Sequence, residues 1–154
     1  MSKLIAYFSA SGVTAKAAKA LASQIGADTY EIEASPVFTR EDLDWTNKNS
    51  RCYKEMHDDA CRPPLGQPVP DVSKYSDIIV AFPIWWGVEP RQVDTFLDGI
   101  DISGKRFTVF ATSGGSPVGP SENHLKKLYP KGDWTGCVLA NNGDPASWAE
   151  KLGY

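Results

Sequence analysis

The chain alternates between short apolar runs and stretches in which apolar residues recur every three or four positions. Leu4-Ile5-Ala6-Tyr7-Phe8 and Ile78-Ile79-Val80-Ala81-Phe82 are uninterrupted apolar runs, the pattern of strands buried on both faces of a parallel sheet. Phe107 to Ala111 reads as a third central strand, and a last strand covers about Trp134 to Ala140. Tyr30-Glu31-Ile32-Glu33 alternates apolar and charged residues, which suits a strand with one covered face near a sheet edge.

Between these runs the period changes to that of helices. Thr14, Ala18, Leu21, Ala22 and Ile25 share one face, and Gly26 follows where a C-cap belongs. Val93, Phe96, Leu97 and Ile100 mark a helix with Pro90 close to its first turn. A short helix from about Ser121 to Tyr129 is expected to bury Leu125 and Leu128. Asp144-Pro145 has the form of an N-cap and N1 pair opening a final helix that buries Trp148 and Leu152.

Five strands alternating with helices imply a parallel sheet covered on both faces, a three-layer doubly wound α/β fold. One domain is expected over residues 1–154. The stretch from Ala34 to Ser76 is longer than a single crossover helix requires. Its first part, Glu41 to His57, is charged and predicted helical. Its second part holds Pro63, Pro64, Pro68 and Pro70 and is expected to be an extended surface loop.

Composition narrows the function classes. With 154 residues, the chain can bury roughly 70% of its unfolded surface. A net charge of -3 favours neither a nucleic acid nor a membrane surface as partner. Cys52, Cys61 and Cys137 are odd in number and lack metal-ligand spacing, so reduced thiols are expected. The N-terminal run Leu4 to Phe8 is too short for a signal peptide, and no stretch approaches the ~20 apolar residues of a membrane span. A soluble, cytoplasmic protein is the expectation.

Candidate chemistry follows from where the central strands end. In an open parallel sheet, ligands bind beyond the carboxyl ends of the strands, where the strand order reverses. The first central strand is followed by Ser9-Ala10-Ser11-Gly12-Val13-Thr14. Three hydroxyls, a glycine and the free N–H groups of a helix start suit a phosphate. The plainer alternative is that Ser9 or Ser11 caps the helix. There is no Gly-x-Gly-x-x-Gly after this strand and no Gly-Lys-Ser/Thr. A loop without Lys suits a terminal monophosphate more than a triphosphate held with metal.

The second central strand leads into Pro83-Ile84-Trp85-Trp86-Gly87-Val88. Two adjacent indoles in a turn offer an aromatic wall for a flat ligand; alternatively, one of them plugs the loop against the core. Gly87 permits a peptide flip without a Cβ penalty. The third central strand leads into Thr112-Ser113-Gly114-Gly115-Ser116-Pro117-Val118-Gly119, which can bring backbone donors and acceptors to a polar heterocycle edge or be a loop and nothing more. Together the three segments describe a phosphate cup, an aromatic platform and a polar edge, the shape and chemistry of flavin mononucleotide (FMN).

The chain resembles the flavodoxins over its whole length. Ser9 to Thr14 is similar to the family's phosphate loop, Thr/Ser-x-Thr/Ser-Gly-x-Thr. Pro83 to Val88 resembles the loop whose Trp-Gly lines the isoalloxazine, and Thr112 to Gly119 resembles the second flavin loop. The uninterrupted last strand is similar to that of the shorter-chain members. Asn49-Ser50-Arg51 and Arg62-Pro63-Pro64-Leu65 look like features of a bacterial flavodoxin-like subgroup, with surface salt bridging as the simpler account of both.

The resemblance implies a five-stranded sheet of order 2-1-3-4-5 with FMN as cofactor. Ser9, Ala10, Ser11, Gly12, Val13 and Thr14 would hold the phosphate. Pro83, Ile84, Trp85, Trp86 and Gly87 would line the ring, with either Trp85 or Trp86 stacking on it. Thr112, Ser113, Gly114, Gly115 and Ser116 would meet the ring edge. It further implies that a flipped Gly87 carbonyl favours the neutral semiquinone, and that the absence of Lys or Arg from all three loops lowers the last reduction potential.

Two features depart from the family pattern. The loop from Thr112 to Gly119 has no aromatic residue to cover the outer ring face. Net charge is modest for an electron carrier, and the local cluster of Glu89, Asp94, Asp98 and Asp101 is expected to be a solvated helix face. The leading reading is an electron carrier docking to redox partner proteins; the alternative is an FMN-dependent NAD(P)H or quinone reductase. A phosphoacceptor receiver domain is set aside, because Ser9-Ala10 and Pro83-Ile84 stand where its acidic residues belong. His57 and His124 are expected on the surface, without a role.

Overall fold

The computed structural model describes residues 2–154. Strand β1 spans Ser2–Tyr7, helix α1 Val13–Ile25, β2 Asp28–Glu31, α2 Arg51–Met56 and β3 Tyr75–Pro83. The chain continues with α3 Arg91–Asp98, β4 Arg106–Thr112, α4 Gly119–Leu128, β5 Asp133–Leu139 and α5 Pro145–Leu152. The five strands form one parallel sheet of order β2-β1-β3-β4-β5, a flavodoxin-like doubly wound fold.

The apolar runs become central strands because both faces are covered. Along β3, Ile78, Val80 and Phe82 point into one core with Val93, Phe96 and Leu97 of α3 and Leu125 of α4. Ile79 and Ala81 point into the other, with Ala18, Leu21 and Ala22 of α1 and Trp148 and Leu152 of α5. The two-residue period of a strand therefore divides one apolar run between two cores. Helix capping signals act as their chemistry predicts: Gly26 closes α1 in the left-handed conformation, and Asp144 with Ser147 forms a capping box that opens α5.

Several expectations need correction. The edge strand is Asp28–Glu31 rather than Tyr30 to Glu33, although Ile32 N–H still donates to Tyr7 O at 2.7 Å. Leu128 is 43% exposed, because α4 presents Leu125 to the sheet and Leu128 falls outside that face. The stretch from Glu41 to His57 is helical only over Arg51–Met56. Before it, Asp42, Asp44 and Asn47 side chains accept N–H groups from Thr39, Thr46 and Asn49, giving the backbone turns instead of a helix.

Chain order places the site. From β1 the chain moves outward to β2, then crosses back to β3 on the opposite side of β1. The reversal lies between β1 and β3, where flavodoxin-type sheets hold their ligand. The loops that follow β1, β3 and β4 all open on this rim. Among the described residues, no helix is long and apolar enough to cross a membrane.

Candidate functional site

Helix α1 starts uncapped. Its N-cap is Gly12, held at φ 93°, with no side-chain cap hydrogen bond and no acidic residue in the first turn. The N–H groups of Val13, Thr14 and Ala15 therefore have no intrahelical partner, and the positive end of the helix dipole is open. Ser9 and Ser11 are not caps. Ser9 Oγ accepts the Gly12 N–H at 3.1 Å, bracing the turn while its own proton stays free to donate. Ser11, Gly12 and Val13 are exposed. Thr14 is buried, and its Oγ1 lies 2.8 Å from Thr112 Oγ1. Its hydroxyl thus ties the first loop to the third.

The second loop is a tight turn. Trp85 N–H donates to Val88 O at 3.0 Å, and Val88 N–H donates back to Trp85 O at 3.2 Å. Between them Trp86 has φ 49° and Gly87 φ 81°, the signs of a type I′ turn. The two indoles are placed differently. Trp85 packs edge-on against Phe8 at 5.5 Å and Phe38 at 5.4 Å, whereas Trp86 is 42% exposed. Ser121 Oγ donates to Gly87 O at 3.0 Å, so this carbonyl already has a partner. Ile84 N–H donates to Thr112 O at 2.8 Å, linking the second loop to the third.

The third loop is organised around one serine. Ser113 Oγ accepts the N–H groups of Gly115 at 3.0 Å and Ser116 at 2.6 Å. Its backbone is clamped by Asn141, whose Oδ1 accepts Ser113 N–H at 2.8 Å and whose Nδ2 donates to Ser113 O at 2.6 Å. Sequence reasoning missed Asn141. The signal was the chain direction, since every strand of a parallel sheet ends on the same rim and Asn141 follows β5.

A cavity of about 530 Å³ lies where the loops meet. Ala10 and Ser11 line it from the first loop, Pro83, Ile84, Trp85 and Trp86 from the second, and Gly114 from the third. Ser9, Gly12, Val13 and Thr14 stand beside it at the start of α1. Gly87, Thr112, Ser113, Gly115 and Ser116 do not line it; they shape the loops around it, Thr112 and Ser113 through their hydroxyls. The remaining wall is Leu43, Trp45 and Cys52, all from the long crossover after β2. These three were also missed, because a charged stretch read as helix gives no hint that its one indole lines a cavity.

The charges after the second loop are not solvated as expected. Glu89 and Asp94 are fully buried, while Asp98 and Asp101 are exposed. His124 is partly buried, with Nδ1 against the Glu89 carboxylate; this corrects its expected surface position. Burial first, and then the hydrogen bond and charge of Glu89, push Asp94 up to about 8. Arg91 is 3% exposed and reaches Glu55 O, Met56 O and Asp58 O. It thereby fastens the C-terminal end of α2 beneath the second loop. His57 is exposed, as expected, and stacks on Tyr53 at 3.8 Å beside Trp86. Of the two basic motifs of the crossover, Arg51 pairs with Glu55 with both side chains largely buried, and Arg62 pairs with the half-exposed Asp98.

Sheet order and the three loops define a doubly wound α/β protein built around a nucleotide-type site. The flavodoxin family model matches residues 2–152, and the chain belongs to that family, whose cofactor is FMN. A candidate flavoprotein from Bacteroides eggerthii is 39% identical, with 99% of this chain and 98% of that chain covered and a TM-score of 0.94. Another, from Bacteroides uniformis, is 39% identical over 97% and 98% of the two chains, with a TM-score of 0.93. A flavoprotein from Lactobacillus acidophilus, solved in complex with FMN, shares the fold at 20% identity, 97% coverage of each chain and a TM-score of 0.76. No curated protein matches the sequence.

Proposed function

We propose that this chain binds FMN and serves as an electron carrier between redox partner proteins. The observation that carries the reading is a juxtaposition. An uncapped helix start, fit for a monophosphate, adjoins a cavity of about 530 Å³ walled by indoles, within the roughly 300–1,000 Å³ range of small-molecule sites.

The donor set fits the cofactor part by part. The amides of Val13, Thr14 and Ala15, with the Ser9 and Ser11 hydroxyls, suit a dianionic phosphate. Trp85 and Trp86 offer apolar walls for a tricyclic ring, and Gly114 lets backbone approach without a side chain. Bound FMN supplies one- and two-electron chemistry. The chain's own part is to hold the ring and set its electrostatics.

The lining supports a carrier over a self-sufficient reductase. None of the residues lining the cavity is charged, so they offer neither a stabilising cation for an anionic reduced ring nor a counterion for the diphosphate of a nicotinamide cofactor. Trp86, exposed at the cavity, leaves an aromatic edge toward which a redox protein can dock.

Titration of purified protein with FMN tests the reading, with bound flavin giving a yellow protein and quenched flavin fluorescence. Unchanged fluorescence and mobility of FMN in excess protein would overturn it. On the loaded protein, steady NAD(P)H oxidation with a quinone and no added protein would replace the carrier by the reductase.

A further inference from the structure

We propose that Trp45 closes over the free face of the FMN ring, so that the crossover between β2 and α2 supplies the aromatic cover that the third loop lacks. The inference rests on the FMN reading above. Its starting point is an imbalance. The segment Thr112 to Gly119 contains no aromatic residue, yet a third indole lines the cavity from a segment unrelated to the two flavin loops.

Trp45 is 70% exposed. A ring with this much unburied apolar surface is a poor element of any core, and stacking on a planar ligand is the contact that would use it. The backbone beneath it is well tied. Thr39 and Asp42 exchange hydrogen bonds of 2.9 Å and 3.1 Å. Asp44 Oδ1 accepts both the N–H and the hydroxyl of Thr46, at 3.1 Å and 2.6 Å. Asp42 O accepts the N–H of Cys52 at 3.0 Å, which fixes these turns to α2. Helix α2 is fastened in turn by Arg91. The backbone that carries the indole to the cavity is braced, so stacking has only the side chain left to order.

A planar ring entering this cavity meets indoles from two separate segments, Trp85 and Trp86 on one and Trp45 on the other. With Trp45 laid on the ring, a quinone or nicotinamide has no free face on which to stack, and electrons leave by the ring edge. The cover thus bears directly on the choice between carrier and reductase.

The test compares wild type, Trp45→Ala and Trp45→Phe by FMN titration and by iodide quenching of the residual fluorescence of bound flavin. Trp45→Ala is expected to bind FMN about tenfold more weakly, and Trp45→Phe within about threefold of wild type, as the loss and partial retention of one stacking contact require. Iodide access to the flavin should rise in Trp45→Ala and stay low in Trp45→Phe. Since Trp45 is exposed, thermal unfolding of the cofactor-free variants should match wild type. FMN affinity of Trp45→Ala within about twofold of a tightly binding wild type would overturn the Trp45 assignment alone. Weaker binding without increased iodide access would overturn it equally, because no cover would have been removed. A wild type that binds no FMN would remove the underlying reading as well.

Discussion

His124 Nδ1 lies 2.8 Å from one carboxylate oxygen of Glu89 and 3.1 Å from the other, and the carboxylate it meets is fully buried. Asp94, buried nearby and raised by that burial and by the charge of Glu89, accepts the Tyr129 hydroxyl at 2.9 Å and lies 3.4 Å from Arg91 Nη1. Two carboxyls in a dry site beside one guanidinium cannot both ionise cheaply. Asp94 is the carboxyl that keeps its proton, held by burial first and by the neighbouring Glu89 second.

That proton makes stability depend on pH with a definite sign. In the folded chain Asp94 keeps its proton from the ordinary 3.8 up to about 8, whereas the unfolded chain releases it near the ordinary value. The folded state therefore binds more protons across this window, and stability falls as pH rises through it, by up to about 1.4 kcal/mol per pH unit. Asp94→Asn, which cannot ionise, should flatten the profile. Urea unfolding of both proteins at several pH values inside the window checks this; equal slopes would show that Asp94 does not keep its proton in the folded chain.

The Thr14–Thr112 bond predicts coupling between the first and third loops. Both residues are buried, and their hydroxyls lie 2.8 Å apart. Thr112→Val keeps the shape but leaves the Thr14 hydroxyl without this partner, at a cost of about 1–3 kcal/mol. FMN affinity should fall too, because Thr14 also sits in the first turn of α1. Replacing both threonines by valine should recover part of the stability. A double variant no more stable than Thr112→Val would show that the two hydroxyls are not coupled.

The central strands were legible in the sequence because burial on both faces leaves no room for polar residues in Leu4–Phe8 or Ile78–Phe82. The three loops were legible because each follows a central strand at the sheet rim where ligands bind, and because Gly12, the adjacent indoles before Gly87 and the hydroxyls resemble the family's loops. What escaped was decided by contacts between distant segments. Glu89 and Asp94 carry charge, and charge by default reads as exposure; only the meeting of α3 with α4 and α2 buries them. Trp45 lies in a charged stretch that reads as helix, and the turns that bring it to the cavity depend on the side chains of Asp42 and Asp44. Asn141 acts on Ser113 across the gap between two strand ends, which no local pattern records.

The Trp86–Gly87 turn carries a conformational prediction. Gly87 has φ 81°, and a Cβ there would meet nothing within 4 Å, so its requirement is backbone conformation and not space. Gly87→Ala should cost about 1–2 kcal/mol in unfolding free energy. Shifting the turn to relieve that strain would also disturb the Ser121–Gly87 bond and the presentation of Trp86, so FMN affinity should drop with it. Equal stability of Gly87→Ala and wild type would mean that the left-handed conformation is not held at this position.

Asn141 offers the sharpest separation between a loop that is merely present and one that is preorganised. Its amide both accepts from and donates to the Ser113 backbone, at 2.8 Å and 2.6 Å, and Ser113 Oγ then orders the N–H groups of Gly115 and Ser116. Asn141→Ala removes the clamp without touching the cavity wall. Loss of two exposed hydrogen bonds should lower stability by about 1 kcal/mol, while the third loop gains freedom that FMN must then remove on binding. Weaker FMN binding should therefore accompany faster amide exchange at Gly115 and Ser116. Asn141→Asp keeps the acceptor but loses the donor and adds a negative charge on the rim, so its affinity should fall as well. Should Asn141→Ala bind FMN like wild type with unchanged exchange at Gly115, the serine hydroxyl alone holds the loop, and Asn141 has no part in the site.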